Sequence, residues 1–68
     1  MSSDISKLVE VVGTSPESID AAIRAAIAKA SVTIRNIRWF EVTDTRGHVV
    51  DGAVAHFQVS LKIGFTLD

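Results

Sequence analysis

The last third of the chain alternates apolar and polar residues without a break. Ala53, Ala55, Phe57, Val59, Leu61, Ile63, Phe65 and Leu67 hold the odd positions, and His56, Gln58, Ser60, Lys62, Gly64, Thr66 and Asp68 the even ones. A period of two marks a β-strand with one buried face. Upstream, Ile37 to Val50 forms another extended run, separated from the first by Asp51-Gly52, a dipeptide that accepts the positive φ angles of a two-residue hairpin turn. With that turn Val50 faces Ala53, and paired residue numbers sum to 103 down an unbroken ladder. Phe40 then meets Ile63 and Val42 meets Leu61 on one face, while Glu41 meets Lys62 and Thr43 meets Ser60 on the other. Trp39 falls opposite Gly64 on that polar face, and Ile37 falls there too.

The first part of the chain reads as strand and helix. Ile5 to Val12 is rich in β-branched residues and predicts a strand closed by Gly13. Ser15-Pro16 predicts a helix start, with Ser15 as the cap and Pro16 as the first helical residue. Ile19, Ala22, Ile23, Ala26, Ile27 and Ala30 then recur at steps of three and four as one apolar stripe, with Asp20 and Arg24 placed to pair on the outer face. The order strand, helix, strand, strand predicts an α+β fold. The long alternating strand lies in the middle of an antiparallel sheet, and the helix covers its apolar side.

Dimensions and composition sharpen this picture. The fifteen strand residues from Ala53 to Leu67 span about 50 Å, whereas fifteen helical residues from Pro16 to Ala30 span only about 22 Å. One helix cannot cover that strand, and the apolar remainder predicts assembly with other copies. A 68-residue chain has a small core in any case. With no Cys and two His, neither a disulfide nor a complete structural zinc site can supplement it. The net charge of −1 lacks the basic excess of nucleic-acid binders. No apolar run is long enough to span a bilayer and no leader pattern opens the chain, which points to a cytoplasmic protein.

Chemistry-bearing residues are few. A lone Trp39 on the polar face, level with a glycine, is either an interface anchor or a flat surface for stacking an aromatic ligand. Gln58 lies on the same face and both donates and accepts hydrogen bonds, as a uracil-like edge requires, although a solvated strand residue is the commoner case. Six residues separate Gln58 from Gly64, about 20 Å, so a site using both Trp39 and Gln58 needs two subunits. His48 and His56 fall on opposite faces in the unbroken register, so one chain cannot chelate a metal with both. Asp44, Arg46 and Asp51 read as solvated charges, and Thr14, Ser15 and Ser18 as capping groups rather than nucleophiles. The four glycines are isolated and make no phosphate loop or dinucleotide fingerprint.

The segments VEVVGTSPES, TIRNIRWFEV and DGAVAHFQVSLKIGF closely resemble the dodecins, from about Lys7 to Leu67 without a gap. The resemblance implies a single domain over residues 1–68, assembled as a hollow homododecamer in which each helix lies on a three-stranded antiparallel sheet. It implies flavins bound in pairs at two-fold axes, each ring stacked on Trp39. Gln58 of a neighbouring chain would bond the ring's polar edge, and Arg46 would lie near the phosphate of FMN. Many bacterial relatives read G-F-R-L where this chain has Gly64-Phe65-Thr66-Leu67. The lost basic residue makes riboflavin a rival to FMN as the ligand, and coenzyme A between subunits is a further ligand the resemblance allows. The expected function is flavin storage and photoprotection without catalysis. A flavin-dependent oxidoreductase and a structural or coenzyme A-binding shell are the alternatives.

Overall fold

The computed structural model describes residues 4–67. The elements are β1 (Ser6–Ser15), α1 (Ile19–Ala30), β2 (Ile37–Val50) and β3 (Ala53–Thr66). The strands form one sheet in the order β1-β3-β2, with β3 antiparallel to both neighbours. This is the arrangement the alternation predicts. Val59, Leu61 and Ile63 of β3 are fully buried beneath Ala22 and Ala26 of α1. Val9, Val11, Ile19, Ile23, Ile27, Ala30 and Ile37 pack around them.

Small residues set how closely the helix approaches the sheet. A Cβ added at Gly13 would lie 2.5 Å from the Ala22 carbonyl oxygen and 3.0 Å from the Ala26 Cβ. Gly13 therefore does not close β1, as the sequence reading has it. It sits inside a strand that continues to Ser15, where it admits the helix backbone. The helix start also moves. Ser18, in an extended conformation at φ −169°, is the cap, and its hydroxyl oxygen accepts from Ala21 N at 2.9 Å. Ser15 stays in β1, buried, and its Oγ accepts from Glu17 N at 3.0 Å. Ser15 thus closes the bend that carries Pro16 and Glu17, and α1 has 12 residues rather than fifteen. The Asp20–Arg24 pair forms as the spacing predicts, at 2.8 Å.

The β2–β3 hairpin turns through Asp51 and Gly52, with φ of 52° and 77°. Two successive positive φ angles are what an Asp-Gly hairpin turn requires. The ladder beyond is not unbroken. Extra residues at Arg38, Thr43 and Ala55 interrupt it. The bulge at Thr43 puts Asp44, not Thr43, opposite Ser60, and the Thr43 hydroxyl donates to the Ser60 carbonyl at 3.1 Å. The bulge at Arg38 pairs Ile37 with Phe65 and turns Ile37 into the core, not onto the polar face. The pairs Trp39–Gly64, Phe40–Ile63, Glu41–Lys62 and Val42–Leu61 stand as predicted.

The molecule measures 58 × 20 × 13 Å with a radius of gyration of 14.4 Å. A compact domain of this length has roughly 11 Å. The excess is the hairpin, which runs well past the helix and leaves Phe40, Val42, Val49, Val50 and Val54 exposed. Helix α1 packs on β1 and β3 and leaves the inner side of β2 open. A cleft of about 420 Å³ there is lined by Ile23, Ile27, Ala28 and Phe40, with Asp20 and Arg24 at its rim.

The close helix–strand approach gives a direct test. Gly13→Ala collides with backbone, which cannot swing aside, and is expected to cost about 1–3 kcal/mol. A thermal melt of the variant reads the loss, and an unchanged midpoint would contradict the approach described.

Candidate functional site

The polar face of the sheet, away from α1, carries the chemistry. From one end of the hairpin to the other its cross-strand rungs are Trp39–Gly64, Glu41–Lys62, Asp44–Ser60, Arg46–Gln58 and His48–His56. On the far side of β3, strand β1 adds Leu8, Glu10, Val12 and Thr14 opposite Gly64, Lys62, Ser60 and Gln58.

Trp39 lies flat over Gly64. A Cβ there would fall 2.2 Å from Trp39 Cε2 and 2.3 Å from Cζ2, so only glycine lets the indole rest on the strand. Trp39 is nevertheless 44% exposed, because the sheet covers one side of the ring and leaves the other to solvent. An indole supported from behind and open in front is held ready for stacking, with little side-chain freedom left to lose.

Arg46 and Gln58 meet at the other end. In an unbroken ladder Arg46 would stand opposite Phe57. The extra residue at Thr43 moves it one rung, opposite Gln58 and onto the same face. Arg46 is not a lone solvated charge, since its Nε donates to Asp44 Oδ2 at 3.0 Å and its Nη2 reaches the same oxygen. Asp44, two residues earlier and on the same face, is the partner that sequence reasoning missed. With an unbroken ladder nothing distinguished it from the other surface acids. The pair is exposed, and such pairs contribute roughly 0.2–1 kcal/mol, so an anion can compete for the guanidinium.

The same shift corrects the reading of the histidines. His48 and His56 do not point to opposite faces. They occupy one rung, and their rings stack with centroids 4.3 Å apart at 26°. Trp39 and the Arg46–Gln58 rung remain six β3 residues apart, about 20 Å. One chain therefore brings Arg46 and Gln58 together but not Trp39. Among the described residues no group of three His, Cys, Asp or Glu gathers as a metal site. The hydroxyls of Ser15 and Ser18 are taken up by backbone amides.

Known proteins share this sequence pattern and fold. The profile of the Dodecin family matches residues 5–68. The chain belongs to the dodecin family. A curated dodecin of Thermus thermophilus is 48% identical over 62 residues, covering 91% of this chain and 90% of that protein. The fold of the dodecin from Streptomyces davaonensis superposes with a TM-score of 0.94 at 49% identity, covering 98% of both chains. That from Streptomyces coelicolor gives 0.94 at 53% identity, covering 100% of this chain and 97% of its own. The strand order β1-β3-β2 with one helix is the dodecin fold. Among the described residues no helix is long and apolar enough to cross a membrane.

The support beneath Trp39 can be checked in isolation, because it is the chain's one tryptophan and its fluorescence reports nothing else. Gly64→Ala is expected to lift the indole off β3, shifting its emission to the red and weakening its near-ultraviolet circular dichroism while the far-ultraviolet spectrum of the sheet persists. An unchanged emission would mean the indole does not rest on Gly64.

Proposed function

We propose that the protein binds flavin, FMN or riboflavin, and stores and photoprotects it without turning over a substrate. The observation that carries this reading is the Trp39 ring, backed by Gly64 and open on its other side. An isoalloxazine stacks there through its whole face, and a second flavin against the first completes the pair at a two-fold axis. Gln58 of a neighbouring copy supplies the amide for the ring's polar edge, and Arg46, on the same rung as Gln58, faces the phosphate when the ligand is FMN. The roughly 20 Å between the two parts of the site makes assembly of at least two copies a condition of binding, and in this reading that assembly is a homododecamer in the cytoplasm. The open inner side of β2 and the exposed apolar residues of the hairpin are the surfaces that other copies would cover.

A flavin enzyme needs a route for substrate to the reactive part of the ring and groups that tune its electronics. A ring held between Trp39 and a second flavin has both faces covered. The electron-rich indole in contact with it quenches the excited flavin before damaging photochemistry starts. Flavin fluorescence is therefore expected to fall strongly on titration into the protein, and to recover in Trp39→Ala at ligand concentrations that keep the variant occupied. Stacking uses the full ring area, whereas Gln58 exchanges hydrogen bonds with water for hydrogen bonds with ligand, a net gain of about 1 kcal/mol. Trp39→Ala should thus weaken binding more than Gln58→Ala. A bright bound flavin, or oxidation of a nicotinamide or organic acid well above free flavin, would replace storage with oxidoreductase activity. An assembled protein that takes up no flavin would leave a structural or coenzyme A-binding shell.

The Asp44–Arg46 pair separates the two candidate ligands. Arg46→Ala is expected to weaken FMN more than riboflavin, because only FMN carries the phosphate. Asp44→Asn releases the guanidinium from its internal partner and is expected to tighten FMN while leaving riboflavin unchanged. Parallel changes for both ligands in a titration would remove Arg46 from the site.

A further inference from the structure

We propose that His48 and His56 form a two-histidine site for a divalent transition-metal ion of the zinc, nickel and copper kind, on the polar face near the turn end of the hairpin. The bulges at Thr43 and Ala55 place the pair. Between them the ladder runs one residue out of step with its ends, and only within that stretch do the two histidines stand opposite one another. Cross-strand partners of this type hold their Cβ atoms about 5 Å apart. Two imidazole nitrogens on one ion at 2.0–2.1 Å lie roughly 3 Å from each other. The rings are already at 4.3 Å between centroids, and the broad final torsion of histidine lets each turn a nitrogen toward a common point.

Within a single chain the rung is open to solvent. Strand β1 ends at Ser15 opposite Phe57, so no third strand flanks His56 on its other side, and α1 packs on the opposite face of the sheet. His48 is exposed and His56 half-buried. The nearest charge on this face is Arg46, one rung along, and its guanidinium is bound to Asp44. With two protein ligands the ion keeps water in its other positions. Imidazole donors suit zinc, copper and nickel, whereas calcium and magnesium take oxygen donors that this rung lacks.

The test uses the assembled, flavin-free protein, so its result is independent of whether flavin binds. Calorimetric titration with zinc chloride and with nickel chloride is expected to give one ion per chain, and calcium chloride no heat. His48→Ala and His56→Ala should each weaken zinc by at least about tenfold, since losing even a group that only orients a ligand costs that much. In the unsubstituted protein with labelled histidine, zinc should shift the ring signals of both residues together, a measurement that stands even where a variant fails to assemble. Unchanged affinity in either variant, movement of only one ring, or no uptake at millimolar zinc would reduce the stack to a packing contact and overturn the proposal.

Discussion

The mismatch between one strand and one helix governs this molecule. The 14 residues of β3 span about 48 Å, and the 12 residues of α1 about 18 Å. Where the helix lies over the strand, Val59, Leu61 and Ile63 are fully buried and the chain has a core. Where it does not, the same alternation continues with nothing above it, and Val49, Val50 and Val54 stay in water. A single chain thus carries both a domain and a projecting arm, and the arm bears Arg46, Gln58 and both histidines. Shortening the arm would remove exposed apolar surface and, with it, Arg46 and Gln58 of the proposed site.

Bulges do the fine positioning on that arm. One extra residue in β2 at Thr43 exchanges the faces of everything that follows, because side chains alternate with a period of two. The exchange takes Arg46 from opposite Phe57 to opposite Gln58, and it takes His48 to His56. A second extra residue, Ala55 in β3, restores the step before the turn, so that Asp51-Gly52 still closes with Val50 opposite Ala53. The cost at Thr43 is partly offset by its hydroxyl, which donates to the Ser60 carbonyl where the ladder is disrupted.

How much of this the sequence disclosed follows from how strongly each feature is written in residue type. The alternation of β3, the Asp-Gly turn, the apolar stripe of α1 and the position of Trp39 over Gly64 each depend on a contrast of polarity or size, and all were readable. The bulges were not. Thr43, Asp44 and Thr45 are all polar or β-compatible, so no contrast tells which one is extra, and a one-residue slip leaves the apolar positions near the core unchanged. The helix start was ambiguous for a related reason. Ser15 and Ser18 both offer a hydroxyl, and choosing between them depended on Gly13, whose lack of a side chain permits the close helix contact and lets β1 run on to Ser15. Of the proposed site, Trp39 and Gln58 were legible from the face they occupy. The link between Arg46, Asp44 and Gln58 was hidden in the slip.

The polar face offers recognition more readily than bond making. Lys62 stands between Glu10 on β1 and Glu41 on β2, Arg46 is held by Asp44, and the hydroxyls of Ser15, Ser18 and Thr43 bond to backbone. General acid–base or nucleophilic chemistry needs a nucleophile and its base within hydrogen-bond reach of each other and of a reacting atom, and these groups are matched among themselves or committed to the fold. What the face leaves open is a supported aromatic surface at one end and, at the other, an amide beside a weakly held cation and the stacked His48–His56 rung. Flat stacking, a polar edge and an anionic tail are the needs of a planar heteroaromatic ligand. In the proposed site those elements lie about 20 Å apart on each chain, so the ligand would bridge two copies and its binding would reinforce assembly.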